Sequence, residues 1–265
     1  MKLSRISVLA ALPLIVFSPD ACGQWAPVSG LPAGFNPNDI AMAPDGTLFT
    51  SGAATNTAQS GFYRSSNGTT WTRKNNGLSD QGTDIVPWRI GAFDEVTLGA
   101  TNGGDGIYRS LNDGDSWTTS GLGPAAAYWD FCRFNADTYF VTKRENVVGL
   151  SGVWRSLDRG ATWQRRSTGL YGLTLPVVGD VITAESVHLH NGKLFCGVST
   201  TGVFRSTNGG ESWTNLSGNV YVENTVVGPL TACWDLASTG PRLFSSIQNY
   251  KQIFMTEDDG TVGGR

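Results

Sequence analysis

Charge is scarce in this chain of 265 residues: Asp, Glu, Lys and Arg together supply 15% of it, and the formal balance is −3. That excludes the basic stripe that phosphate backbones and anionic lipid surfaces demand, so no nucleic-acid partner is expected. Histidine is limited to His188 and His190, and no third ligand lies near them in sequence. No metal site follows from two rings alone, and no cofactor is implied. The His-Leu-His spacing on a strand points both rings to one face, where they are expected to line a channel or a strand surface. Cysteine is limited to four residues without a CxxC spacing, which argues against a zinc knuckle and a disulfide framework. Cys132, Cys196 and Cys233 each sit in an apolar stretch and are expected as small buried side chains, a Cys196–Cys233 bridge being the alternative. Beyond the first 23 residues no apolar run is long enough to span a bilayer.

Glycine, by contrast, occurs 34 times, and aromatic residues make up 11% of the chain. Many turns joining short strands, with almost no helix, fit that balance. At the start, MKLSRISVLAALPLIVFSPDACGQ carries Lys2 and Arg5, an apolar run from Ile6 to Phe17 and then small residues. This is a secretory signal pattern, with cleavage expected between Gly23 and Gln24 and an exported product. Lipid attachment at Cys22 is the weaker alternative, because Pro19 stands where a Leu is usual.

An internal repeat organises everything after the leader. GFYRSSNGTTW (61–71), GIYRSLNDGDSW (106–117), GVWRSLDRGATW (152–163) and GVFRSTNGGESW (202–213) recur, and QIFMTEDDGT (252–261) is a degenerate fifth copy. Trp71, Trp117, Trp163 and Trp213 are spaced by 46, 46 and 50 residues. Such a period suits one four-stranded propeller blade. Within the fourth unit, SVHLH, NG and KLFCGV read as a hairpin with a two-residue Asn-Gly turn, followed by the GVFRS strand and the strand after Trp213.

These segments resemble the Asp-box, or BNR, repeat, with consensus Ser/Thr-x-Asp-x-Gly-x-Thr/Ser-Trp. SLDRGATW (156–163) fits every defined position, Asn112 and Asn208 replace the Asp in two other copies, and SSNGTTW (65–71) is one residue short. The resemblance spans nearly the whole chain after the leader. It implies an all-β propeller but no single activity, since that family includes sialidases, xyloglucan hydrolases, sortilin-like receptors and photosystem assembly factors. Five four-stranded blades are expected in one domain over 24–265, roughly 32–78, 79–122, 123–170, 171–220 and 221–265. QWAPVSGL (24–31) copies the tail of each repeat, and Trp25 lies 46 residues before Trp71. The N-terminal strand is therefore expected to pair with the last blade and close the ring, removing two free edges. A chain forming the front part of a longer propeller is the alternative.

The box residues are assigned to structure: Ser65, Asn67, Gly68 and Trp71; Ser110, Asn112, Gly114 and Trp117; Ser156, Asp158, Gly160 and Trp163; Ser206, Asn208, Gly210 and Trp213; Thr256, Asp258 and Gly260. Asp or Asn accepts backbone N–H groups, Gly supplies a positive φ and the Trp wedges between strands. Repetition argues against catalysis here, because Arg64, Arg109, Arg155 and Arg205 recur once per blade and cannot converge. Asn67 and Asn215 fit a glycosylation sequon, but they fall at or just after a box turn, which is sufficient reason for the Asn.

In an up-and-down blade the box turn and the first hairpin share one face, so a ligand site is expected at the opposite channel mouth, where inner strands begin. Candidates there are Asp39, Trp88, Arg89, Trp129, Asp130, Glu185, Trp234 and Asp235. Carboxylates beside flat aromatic faces suit sugar rings or a protein ligand. The structural alternative is that the Asp side chains cap strand starts and the Trp rings pack between blades. A binding or assembly scaffold, expected to be a monomer, is the leading reading. A sialidase-like glycosidase drawing two carboxyls from Asp39, Asp130, Glu185 and Asp235 is the runner-up, with no catalytic residue assigned. Against a sialidase, PWRIGAF (87–93) has Gly91 where the family's Arg-Ile-Pro stretch has proline, and the repeated arginines leave no triad.

Overall fold

The computed structural model describes residues 27–78, 86–102, 106–123, 127–145, 149–171, 173–175, 179–216, 219–222, 225–229, 233–247 and 252–260. The architecture is all-β. Sheet one is the meander β1 (Asn36–Met42), β2 (Leu48–Ala53), β3 (Gly61–Ser65) and β4 (Thr72–Arg73). Sheet two repeats it with β5 (Val86–Ala92), β6 (Thr97–Asn102), β7 (Ile107–Ser110) and β8 (Thr118–Thr119), and sheet three with β9 (Ala127–Arg133), β10 (Tyr139–Arg144), β11 (Gly152–Ser156) and β12 (Gln164–Arg165). A hairpin of β13 (Leu173–Leu175) and β14 (Gly179–Val181) precedes sheet four, which is β15 (Ala184–His190), β16 (Lys193–Val198), β17 (Gly202–Ser206) and β18 (Thr214–Asn215). A second hairpin, β19 (Asn219–Val222) and β20 (Thr225–Pro229), precedes sheet five, which is β21 (Cys233–Thr239), β22 (Arg242–Ile247) and β23 (Gln252–Thr256). Neither hairpin was foreseen: each interrupts the segment between a box tail and the next inner strand, where the repeat pattern says nothing.

Sheet five has three strands among the described residues, and no fourth is paired with β23. The expected closing strand falls partly on residues 24–26, outside the described residues, and 27–31 form no strand. Inner strands stack in series, β1 on β5, β5 on β9, β9 on β15 and β15 on β21, while β21 has no comparable contact with β1 among the described residues. Apolar side chains that alternate along the two buried strands of each sheet fill the spaces between sheets. Phe62 of sheet one, for example, packs with Ile90, Tyr108 and Trp117 of sheet two, and a Cβ on Gly99 would collide with its ring.

The box turns follow from their side chains. Ser156 Oγ accepts the Gly160 N–H at 2.8 Å, and Asp158 Oδ1 accepts the N–H groups of Ala161 and Thr162 at 3.0 and 2.8 Å. Asn112 and Asn208 do the same through their amide oxygens, because this role needs an acceptor and not a charge. The box glycines take φ between +68 and +85°. The indoles wedge between sheets: Trp117 Nε1 donates to the Lys74 carbonyl at 2.7 Å and Trp213 Nε1 to the Arg166 carbonyl at 2.8 Å, each in the tail of the preceding sheet. Each repeated arginine latches onto the next box, Arg64 on the Asp113 carbonyl, Arg109 on Asp158, Arg155 on Gly209 and Arg205 on Asp259. Their separation explains why they build joints and no common site.

One expectation needs correction. His188 and His190 do not line a channel: their rings bond Ser238 Oγ and the Pro241 carbonyl, the first on β21 and the second in the turn that follows it, so they belong to the joint between sheets four and five. The three cysteines are buried free thiols, as expected, and the alternative Cys196–Cys233 bridge is not formed. Cys196 packs towards sheet three with Cys132 and Phe140, whereas Cys233 packs with Phe195, its neighbour on the other face of β16.

Candidate functional site

The inner strand of every sheet carries a β-bulge near its start. Register shifts fall between Pro37 and Asp39, Pro87 and Arg89, Ala184 and Ser186, Cys233 and Asp235, and on β9 where Asp130 faces Thr142 and Tyr128 faces Lys143. Asn38, Trp88, Trp129, Glu185 and Trp234 are therefore the extra residues. A bulge bends its strand and re-aims neighbouring side chains. As a result both members of Trp129–Asp130, Glu185–Ser186 and Trp234–Asp235 face one cavity of about 380 Å³, joined by Asp39 and Arg89.

Seven of the eight residues selected from the sequence line this cavity; Trp88 does not, and instead sets its ring edge-on to Trp129 at 6.1 Å. Ser186 was missed, although it occupies the position of Asp39, Asp130 and Asp235 one residue after the bulge. Ile40, Ile90 and Phe131 also contribute to the wall. The bulge itself has no signature in a single repeat, but aligning the five inner strands would have exposed Ser186.

The carboxyls have partly structural work. Asp39 accepts the N–H of Ile40 through Oδ1 and that of Ile90, on the next sheet, through Oδ2, both at 2.9 Å. Asp130 accepts Phe131 N–H at 2.8 Å and Val187 N–H, again on the next sheet, at 2.9 Å. Asp235 accepts Leu236 N–H at 2.8 Å. Arg89 lies 3.7 Å from Asp39 and 5.6 Å above the Trp129 ring.

Burial outweighs these hydrogen bonds electrostatically. It pushes Asp130 up to about 7, with the nearby Asp235 carboxylate adding to the rise against the pull of the backbone N–H groups. Asp39 and Glu185 are raised for the same first reason. Glu185 is 5% exposed, and its Oε2 has no partner among the described residues. Trp88 Nε1, Arg89 Nε, Trp129 Nε1 and Ser186 Oγ are likewise buried and without a partner among the described residues. Such atoms cost free energy unless water or a ligand satisfies them, and four of the residues that carry them, Arg89, Trp129, Glu185 and Ser186, line the cavity. Among the described residues no group of three or more His, Cys, Asp or Glu is placed to hold a metal ion.

No family model and no curated protein sequence matches the chain. Solved structures do. The fold is that of a β-propeller, and the four-stranded sheets have the form of its blades. The GH74 enzyme of Niastella koreensis superposes with a TM-score of 0.57 at 19% identity, over 87% of this chain and 31% of that one. The GH74 xyloglucanase of Xanthomonas campestris gives 0.54 at 17%, over 84% and 35%, and a nidogen–laminin complex gives 0.53 at 11%, over 84% and 76%. The chain thus spans about a third of the length of the two GH74 proteins. Identities this low speak for the fold alone.

Proposed function

We propose that the chain is an exported, non-catalytic Asp-box propeller of five blades that acts as a binding or assembly scaffold, its protein or glycan ligand seated in the mouth built by the bulged pairs. The observation carrying this reading is that Arg89, Trp129, Glu185 and Ser186, each with a buried polar atom that has no partner among the described residues, line one cavity together. Mixed donors and acceptors beside indole rings suit hydroxyl-rich or peptide ligands. Similar folds occur in a xyloglucanase and in the nidogen–laminin complex, so the fold serves both kinds of ligand. Export rests on the leader over residues 1–23; no helix among the described residues is long and apolar enough to cross a membrane.

A glycan array and a partner pull-down identify the ligand, and titration of Glu185→Gln and Asp235→Asn then tests the site. About tenfold weaker binding in both, with unchanged melting, is the expected result. Affinity unchanged in both variants removes the mouth as the site.

A second reading, a glycoside hydrolase, is favoured by one observation: a carboxyl near 7, such as Asp130, can act as a general acid at neutral pH. Its two oxygens are, however, both engaged by backbone N–H groups. Turnover of chromogenic glycosides that disappears in Asp130→Asn would decide for the enzyme.

A further inference from the structure

The repeat is broken at one place in the mouth. Arg89, one residue after the bulge of blade two, extends over the indole of Trp129, the bulge residue of blade three, at 5.6 Å. Its Nη1 lies 3.7 Å from Asp39, one residue after the bulge of blade one. A carboxylate, a guanidinium and an indole from three successive blades thus form a row. Two blades further on, the equivalent positions hold Asp130, Ser186 and Trp234, and all three line the cavity. Asp130 repeats Asp39 closely: Asp39 Oδ2 accepts the Ile90 N–H and Asp130 Oδ2 the Val187 N–H, each at 2.9 Å, from the residue after Arg89 or Ser186. Ser186 is too short to extend over Trp234 as Arg89 extends over Trp129. The second row therefore has a hydroxyl where the first has its cation.

The surroundings of the second row are anionic. Among the residues lining the cavity Arg89 is the single cation, set against Asp39, Asp130, Glu185 and Asp235. Asp130 has both oxygens on main-chain N–H groups, and Asp235 has Oδ1 on the Leu236 N–H. Glu185 and Ser186, 5% and 2% exposed, keep Oε2 and Oγ without a partner among the described residues. Burial raises Glu185 against the pull of the Ser199 hydroxyl, Arg144 and Arg89. It raises Asp130 to about 7, with Asp235 adding to the rise and Arg89 opposing it. A cleft lined by one sign of charge attracts the other, and a buried carboxylate without a counter-ion costs free energy that a cation removes. Among the described residues no three such groups are placed to hold a metal ion, whereas an organic cation spreads several N–H donors over a wider span.

We infer, resting on the mouth as the ligand site, that the seam between blades four and five takes a cation from outside: the guanidinium or ammonium group of an arginine or lysine side chain on a protein ligand, seated over the Trp234 indole and bonded to Glu185 Oε2 and the Asp235 carboxylate. Arg89 between Asp39 and Trp129 is the internal template for this contact. That template favours a protein side chain over an aminated sugar, because the apolar stalk of Arg or Lys packs along an indole while its head meets the carboxylates. A neutral guest would leave Asp130, Glu185 and Asp235 facing one another without compensation. Trp234 is 44% exposed, so the seam is open to a side chain arriving from solvent.

The test titrates the full chain with N-acetyl-arginine amide and N-acetyl-lysine amide, followed through the indole N–H resonances, that of Trp234 being the one lost in Trp234→Leu. Saturable shifts of the Trp234 resonance are expected at roughly millimolar concentration, with the uncharged N-acetyl-citrulline amide at least about tenfold weaker. Glu185→Gln should weaken the arginine derivative about tenfold and the citrulline derivative less than about twofold. Ser186→Arg supplies the guanidinium from within the chain and should abolish the binding. Asp235→Asn, a change at an exposed side chain that makes no packing demand, should weaken it. Equal affinity for the arginine and citrulline derivatives, no saturable shift with either cation, undiminished binding in folded Ser186→Arg, or binding of glucosamine alone overturns the inference. None of these outcomes removes the mouth as the site, which stands on the titration of its own ligand against Glu185→Gln and Asp235→Asn.

Discussion

Replacing Trp213 by alanine isolates what a box indole contributes to a joint between blades. The side chain is 4% exposed, shares a core with Phe140, Val153 and Leu170 of the preceding blade, and fastens to the Arg166 carbonyl. Truncating a buried Trp costs about 3–5 kcal/mol through lost transfer energy and the cavity left behind. The abandoned Arg166 carbonyl adds about 1 kcal/mol. For a domain of this size each kcal/mol moves the Tm by about 2–4 °C, so Trp213→Ala should melt roughly 8–24 °C below the wild type. Trp213→Phe retains most of the apolar volume and loses mainly the N–H bond, and should cost about 1–2 kcal/mol. Urea unfolding followed by circular dichroism gives both values. Trp213→Ala within 1 kcal/mol of wild type, or Trp213→Phe worse than Trp213→Ala, would refute the wedge between blades.

Two further outcomes follow from the buried ionisable groups. Burial lifts Asp130 from about 3.9 in the unfolded chain to about 7, so the folded state favours the protonated carboxyl. That contribution to stability is complete below about pH 4 and is lost as the pH rises through 7. The unfolding free energy of the wild type relative to Asp130→Ala should therefore fall by about 3 kcal/mol between pH 4.5 and 7.5; a constant difference would sink the assignment. Burial also raises the Cys132 and Cys196 thiols and takes Cys233 to about 12. Thiol reagents at pH 8 should modify none of the three in the native protein and all three at the unfolding rate; rapid native labelling of any one contradicts its placement.

The periodic parts of the fold were legible in the sequence because they are set locally. Each box needs only Ser, Asp or Asn, and Gly at fixed spacing to close its turn, and Asn191-Gly192 dictates its hairpin through φ values of +47 and +71°. Seven mouth residues were legible because inner-strand starts must converge in any meander of this kind. What escaped depends on partners distant in the chain. The bulge that brings Ser186 to the cavity is a matter of register against β16, and Trp88 turns aside because Trp129, 41 residues later, offers its face. His188 and His190 were misplaced for a similar reason: strand alternation gives a common face but not which blade covers it. The two hairpins before blades four and five break the period, and a repeat pattern is blind to its own interruptions.

Along the rim, the arginine latches fasten every described joint alike. At the channel the grips alternate, because Asp39 and Asp130 each hold a backbone N–H of the following blade while Arg89 and Ser186, at the same position in blades two and four, hold none. The joints around the mouth are thus of two kinds. Blades one and two, and blades three and four, are held there by a carboxylate gripping main chain, whereas blades two and three meet through Arg89 over the Trp129 ring and blades four and five through the His188 ring on Ser238 Oγ. A ligand entering the mouth would therefore meet two seams fixed by main chain and two fixed by side chains, and Trp129 and Trp234 each stand beside a seam of the second kind.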